Sequence, residues 1–234
     1  RPVIKLEAVK FRYEDMLMEF NFHMPRGEFV GIIGPSGAGK STLLSLIAGF
    51  ETPLSGRIRF AGIDMADRPP DQRPVTMIFQ DHNSFAHLDV WTNVALGISP
   101  RLKLSEEKRT RVDDALERVG LSDCRSRKPT EISGGEKQRI AIARALVRDK
   151  PVLLLDEPFT ALGPALRREM LDLIRAIQRS HNLTVLMVTH QPEDTEYAAS
   201  RVAFVENGKI AHLLPTADFF GASAPKEIRS YLGG

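Results

Sequence analysis

The chain has 234 residues, enough for one large α/β domain or two modest ones, with no need of a metal or disulfide to complete its core. Apolar residues make up 42% and charged residues 26%, which predicts a globular protein and excludes a disordered one. A formal charge of +2 excludes the electrostatic footprint of a dedicated nucleic-acid binder; the single cysteine, Cys124, excludes a disulfide framework and a thiolate zinc site, and reads as intracellular. The longest apolar runs, such as TVLMV at 184–188, fall far short of a membrane span, and the charged opening stretch RPVIKLEAVKFRYED lacks the apolar segment of a signal peptide.

Along the chain, Ile4, Leu6 and Ala8, then Met16, Met18, Phe20, Phe22 and Met24, recur with a period of two. That period predicts half-buried antiparallel strands, and GRIRFAG at 56–62 continues it. Short apolar runs follow: FVGII (29–33), VTMIF (75–79), VLLLD (152–156) and TVLMVT (184–189), each succeeded by a loop signal and helical periodicity. This is the pattern of a buried parallel sheet with crossover helices. Between Gln80 and Lys150 the strand signals vanish. Ser105 opens a helix carrying Val112, Leu116 and Val119 on one face and stopping at Gly120, and a second helix after Ser133 aligns Ile140, Ala143 and Val147. The expected architecture is a single α/β domain over 1–234, with a catalytic core at 1–82 and 148–234 and an all-helical lobe inserted at 83–147. A late hairpin is expected to turn at Asn207–Gly208, with only a short tail beyond it.

Three stretches carry chemistry. GPSGAGKS, Gly34 to Ser41, fits a phosphate loop set between a strand and a helix. Its glycines let backbone N–H groups converge on phosphate oxygens, the helix N-terminus adds its positive end, Lys40 can reach the outer phosphates and the Ser41 hydroxyl can hold Mg²⁺. A Gly-rich turn that only caps a helix is the plain alternative. In VLLLDEP, Asp156 and Glu157 end a strand where open α/β sheets bind ligands, so Asp156 can support a Mg²⁺ shell and Glu157 can polarise a water; acidic strand ends are also common as solvated loop positions. In EISGGEKQRIAIARAL, Ser133 and Glu136 have capping-box spacing, the mark of a well-capped helix start. Tyr13, Gln80 and His190 each follow a strand. They can stack on a purine, bind Mg²⁺ and water, and touch a γ-phosphate, or serve as a rim tyrosine, a plain polar residue and a structural histidine.

GPSGAGKST, FQ at 79–80, ISGGEKQRIAIARAL, LLLDEPFTAL and VTH at 188–190 occur in the order and context of the ATP-binding cassette (ABC) superfamily, which the chain resembles over essentially its whole length. The resemblance implies the α/β P-loop nucleotide hydrolase fold, with a mainly parallel core sheet, an N-terminal antiparallel β-subdomain and an inserted helical lobe. It implies ATP and Mg²⁺ bound by Gly34, Pro35, Ser36, Gly37, Ala38, Gly39, Lys40, Ser41 and Thr42, with Ser41, Gln80 and Asp156 around the metal. Tyr13 looks like the adenine-stacking aromatic, Gln80 like the glutamine joining the two lobes, Glu157 like the catalytic base and His190 like the switch histidine. In proteins of this kind two copies face head to tail, so Ser133, Gly134, Gly135 and Glu136 would close over the γ-phosphate held by the phosphate loop of the other copy.

The chain departs from the family pattern at Ile132, where leucine is usual, at Glu136, where glutamine is usual, and at Gly163, where aspartate is usual in the loop linking the two nucleotide sites. A single cassette with a compact helical lobe fits the detachable motor of a transporter, docked on a separate membrane permease through DHNSFAHLDVWTNVALG after Gln80; the apolar residues of that stretch, Trp91 among them, can equally be core of the helical lobe. More closely, RPVTMIFQDHNSFAHLDVWTNVALGISPRLKL and the length resemble the ATP-binding subunits of bacterial thiamine importers. Such a motor implies a second copy of itself, the permease and, through it, an extracytoplasmic solute-binding protein as partners, no nucleic acid, and a place at the cytoplasmic face of the inner membrane. The alternatives are the motor of another small-solute importer, which shares the same layout, and a soluble ATPase of the superfamily with no part in transport.

Overall fold

The computed structural model describes residues 2–79 and 84–233. Strands β1 (Pro2–Tyr13) and β2 (Met16–Pro25) form a hairpin, and β3 (Phe29–Ile33) runs through a glycine-rich loop into helix α1 (Lys40–Ala48). Strands β4 (Ser55–Phe60), β5 (Ile63–Asp64) and β6 (Val75–Phe79) follow. Helices α2 (Val90–Ala95), α3 (Glu106–Arg118) and α4 (Gly134–Val147) then precede β7 (Val152–Asp156). The chain continues through α5 (Pro164–His181), β8 (Thr184–Val188), α6 (Pro192–Ala198), β9 (Arg201–Glu206), β10 (Lys209–Pro215) and two short helices, α7 (Thr216–Phe219) and α8 (Lys226–Leu232).

Two sheets result. One is antiparallel, in the order β2-β1-β4-β5; the other runs β10-β9-β3-β8-β7-β6, parallel throughout except for the β9–β10 hairpin. The central strands are apolar at nearly every position, Asp156 and Thr184 at their ends excepted, because both faces are covered. Leu153, Leu155, Val185 and Met187 pack with Val112, Leu116, Ile140 and Ile174 of the helices on one side. Val152, Leu154, Leu186 and Val188 pack on the other side with Leu43 and Leu44 of α1 and with Phe20 and Phe22 of the antiparallel sheet. Each such fully buried side chain contributes about 1.5–3 kcal/mol. The late hairpin turns at Asn207 (φ 49) and Gly208 (φ 73), the two left-handed positions that a tight two-residue turn requires.

Two local readings of the sequence are corrected. The alternation in β1 does not carry through Ala8, which is exposed and adopts φ 47, while Val9 is fully buried. A register shift between Leu6 and Val9 inserts one residue there, and the Ala8 N–H donates to Asn21 Oδ1 at 2.8 Å in place of a ladder bond. Nor is the segment after β10 a mere tail. Phe219 and Ile228 anchor α7 and α8 in a third apolar cluster with Ile33, Val202 and Phe204. Helices of four and seven residues are too short to show a readable period.

Candidate active site

The parallel register aligns strand ends. Phe79 lies beside Asp156 and Asp156 beside Val188, while Ile32 also lies beside Val188, so the loops after β6, β7, β8 and β3 open on one edge of the sheet. This C-terminal edge is where open α/β sheets bind their ligands.

At the end of β3, Gly34 presses against the backbone of Val205 on β9 so closely that any Cβ would collide with the Val205 carbonyl. Gly39, at φ 106, then turns the chain into α1, whose first turn has neither a side-chain cap nor an acidic residue. The backbone N–H groups there are left for an external anion. Lys40 is buried, and its Nζ donates to the Gly34 carbonyl at 2.6 Å and the Pro35 carbonyl at 2.8 Å. Burial pushes the Lys40 ammonium below its ordinary range, against the pull of the Glu157 and Asp156 carboxylates. Ser36 and Gly37 are exposed on the outer side of the loop, Ala38 is buried beneath it, and Thr42 lies partly buried on α1.

Ser41 Oγ donates to Asp156 Oδ1 at 3.2 Å, joining the start of α1 to the end of β7. Burial raises the Asp156 carboxyl, opposed by the Ser41 hydrogen bond. Glu157 stands at φ 47, unusual for a side chain of its size, and its N–H donates to the Val188 carbonyl at 2.8 Å. Its Oε1 lies 3.0 Å from His190 Nδ1, so the two strand ends meet through their side chains. Phosphate loop, Ser41, Asp156, Glu157 and His190 therefore form one constellation.

Tyr13 sits where β1 turns into β2 and is 59% exposed, with its ring free for a planar partner. The same hairpin reaches the loop through Met18, whose Sδ is 3.0 Å from where a Gly39 Cβ would sit. Gln80 lies outside the described residues. Ser133, Gly134, Gly135 and Glu136 begin α4: Glu136 N–H donates to Ser133 Oγ at 3.2 Å and Ser133 N–H to Glu136 Oε2 at 2.7 Å, a complete capping box. These bonds hold the Glu136 carboxyl below its usual range. Gly135 packs against Leu166, but Ser133 and Gly134 are exposed, with open space beyond Gly134.

Other connections had no signal in the sequence. Buried Asn93 accepts from Phe85 N–H at 2.7 Å through Oδ1, and Arg144 of α4 donates to that same oxygen at 3.1 Å and to the Asn93 carbonyl at 3.0 Å. Helix α4 is thereby tied to the loop before α2. Trp91 is partly buried and packs against the helical core, with Nε1 donating to Asp113 at 2.8 Å. Arg167 donates to the Leu162 carbonyl and pairs with buried Asp194 at 3.3 Å, joining the loop before α5 to the segment after His190.

Comparison with known proteins agrees with this fold. The ABC transporter family matches residues 17–160. The thiamine import ATP-binding protein ThiQ of Brucella suis is 52% identical over 230 residues, covering 98% of this chain and 95% of that one. Its namesake from Aliivibrio fischeri is 48% identical over 230 residues, covering 98% of each chain. Among solved structures, cbiO1 of Clostridium perfringens, part of the ABC transporter complex cbiONQ, superposes with a TM-score of 0.87 at 30% identity, over 99% of this chain and 94% of that one. With its fold, its strand-end constellation and near-full-length relatives in agreement, the chain belongs to the ABC transporter family.

Proposed function

We propose that this chain is the ATP-hydrolysing subunit that powers import of thiamine through a separate membrane permease, at the cytoplasmic face of a bacterial inner membrane. The observation that carries the reading is the near-full-length identity of about half to proteins named for thiamine import. No helix among the described residues is long and apolar enough to cross a membrane, and this reading assigns the membrane passage to a permease. Its docking surface is the stretch DHNSFAHLDVWTNVALG after Gln80, where Phe85 stands exposed; Phe50 and Phe79, in tilted contact at 6.0 Å, are exposed just before it. A solute-binding protein delivers the solute to that permease, and no nucleic acid takes part. The core at 1–82 and 148–234 holds the phosphates, and the lobe at 83–147 carries the serine–glycine helix.

In this reading the loop N–H groups from Gly34 to Thr42 and Lys40 hold the phosphates, while Tyr13 stacks on adenine. The residues fit Mg²⁺: Ser41 and Asp156 bring two hard oxygens together at 3.2 Å. Among the described residues no cluster of three metal-binding side chains exists, which suits an ion that takes its remaining ligands from phosphates and water. Ser41, Asp156 and Gln80 would hold the Mg²⁺, which would supply positive charge against the phosphates. Glu157 accepts a proton from the attacking water as its oxygen bonds to the γ-phosphorus and the bond to the bridging oxygen of ADP breaks; His190 holds Glu157 in place. Ser133 to Glu136 of a second copy close over the γ-phosphate, so ATP joins the dimer and hydrolysis releases it.

The test is ATP hydrolysis by the chain alone, then with the permease from its operon and a thiamine-loaded binding protein in lipid. Stimulation only by the complete, thiamine-loaded system is expected. Strong hydrolysis indifferent to these partners would overturn the import assignment, and stimulation by another solute would reassign the cargo.

Gly163 offers a second test. It occupies the N-cap of the 18-residue α5 at φ −66 and ψ 164, without a side-chain cap and with open space where a Cβ would be. Gly163→Asp therefore fits without strain, and as a cap it is expected to stabilise by only a few tenths of a kcal/mol. Because this loop connects through Arg167 to the segment after His190, the substitution is expected to raise the ATPase rate of the assembled transporter. An unchanged rate and unchanged cooperativity in ATP would show that position 163 carries no signal between sites.

A further inference from the structure

A carbonyl oxygen offers two lone pairs, and the structure assigns both at Gly34. One accepts from Lys40 Nζ at 2.6 Å; the other accepts from Tyr231 Oη at 3.2 Å, a residue 197 positions away on α8. Tyr231 is half-buried, with its ring 5.4 Å from Phe204 on β9. The neighbouring Val205 is the residue whose backbone abuts Gly34. Gly34 is thus held on one side by the β9 backbone and on the other by the α8 hydroxyl, and both supports are fixed by the cluster around Phe204, Phe219 and Ile228.

We infer that Tyr231 is a positioning residue for nucleotide binding: its hydroxyl keeps the Gly34 carbonyl turned back from the phosphates and satisfied while Lys40 engages them. An ammonium has three donors, and Lys40 uses two on the carbonyls of Gly34 and Pro35. The third can meet one phosphate oxygen, and engaging a second takes a donor from one of these carbonyls. A buried carbonyl left without a donor is unfavourable and would tend to turn in the loop, pointing its negative end toward the anion site. With Tyr231 present, Gly34 keeps a partner and the loop keeps its N–H groups inward.

The inference rests on ATP binding at Gly34–Thr42, and the test separates the two. Titrating wild type with ATP comes first: no binding would remove the nucleotide reading itself. Tyr231→Phe keeps the ring against Phe204 and removes only the hydroxyl. The expected result is an ATP Kd, and a KM in the assembled transporter, raised about two- to tenfold, with kcat at saturating ATP unchanged and the melting temperature without nucleotide unchanged. An unchanged Kd would overturn the assignment. So would a Kd that rises only together with a lowered nucleotide-free melting temperature, since that marks loosened packing; Phe204→Leu, which disturbs the cluster and leaves the hydroxyl, supplies the comparison for that case.

Discussion

Replacing Glu157 with glutamine is expected to lower steady-state ATP turnover by about 10²- to 10⁴-fold while leaving ATP binding near wild type. The argument begins with the backbone. Glu157 holds φ 47, a conformation that costs about 1–3 kcal/mol for a non-glycine residue and persists only where its surroundings fix it. Here the fixing contacts are the 2.8 Å bond from its N–H to the Val188 carbonyl and the 3.0 Å contact of its carboxylate with His190. Glutamine has the same length and can keep both, so the loop should retain its shape. What it loses is the ability to take a proton from water, and that loss touches only the hydrolytic step. ATP bound between two copies then persists, and a dimer should accumulate with Mg-ATP on size exclusion and dissolve when ATP is withdrawn. Wild-type turnover in Glu157→Gln would move the base to another residue.

The same contrast between contiguous and distant chemistry explains what could be read in advance. The phosphate loop, Asp156–Glu157 and the capped helix at Ser133 were legible because each places its working groups within a few residues, where spacing alone reports geometry. The runs at β3, β7 and β8 were legible because strands buried on both faces leave uninterrupted apolar sequence. The Ala8 bulge was hidden, since one inserted residue looks like any other in an alternating pattern. So were α7 and α8, each anchored by only one or two side chains, Phe219 in α7 and Ile228 with Tyr231 in α8. The contacts of Tyr231 with Gly34 and of Arg144 with Asn93 span 197 and 51 residues, and no local pattern links such partners.

Arg73 is another such residue, and its loss is expected to be the most damaging to stability. Its side chain is nearly buried, at 5% exposure, and its guanidinium donates to the carbonyls of Arg68 at 2.9 Å, Leu46 at 3.0 Å, Ile47 at 3.1 Å and Met65 at 3.2 Å. Two of these acceptors belong to the last turn of α1, the helix that begins at the phosphate loop, so the cation also meets the negative end of that helix. The fit requires Gly49: a Cβ there would lie 2.5 Å from Arg73 Nε. Burial lowers the pKa of the guanidinium, but arginine stays charged, so the site is a cation solvated by backbone oxygens. Arg73→Met keeps the volume of the stem and removes every donor, leaving carbonyls buried without these partners. A loss of about 2–4 kcal/mol follows, read in a protein of this size as a melting temperature lower by roughly 5–15 °C. Arg73→Lys brings a point charge with three donors in place of a planar fork, and should recover only part of the loss. Because α1 still starts from Gly39 and Lys40 in the folded variant, ATP affinity below the lowered melting temperature should stay close to wild type. A melting temperature within two degrees of wild type for Arg73→Met would mean that water satisfies these carbonyls equally well and that the cation adds nothing.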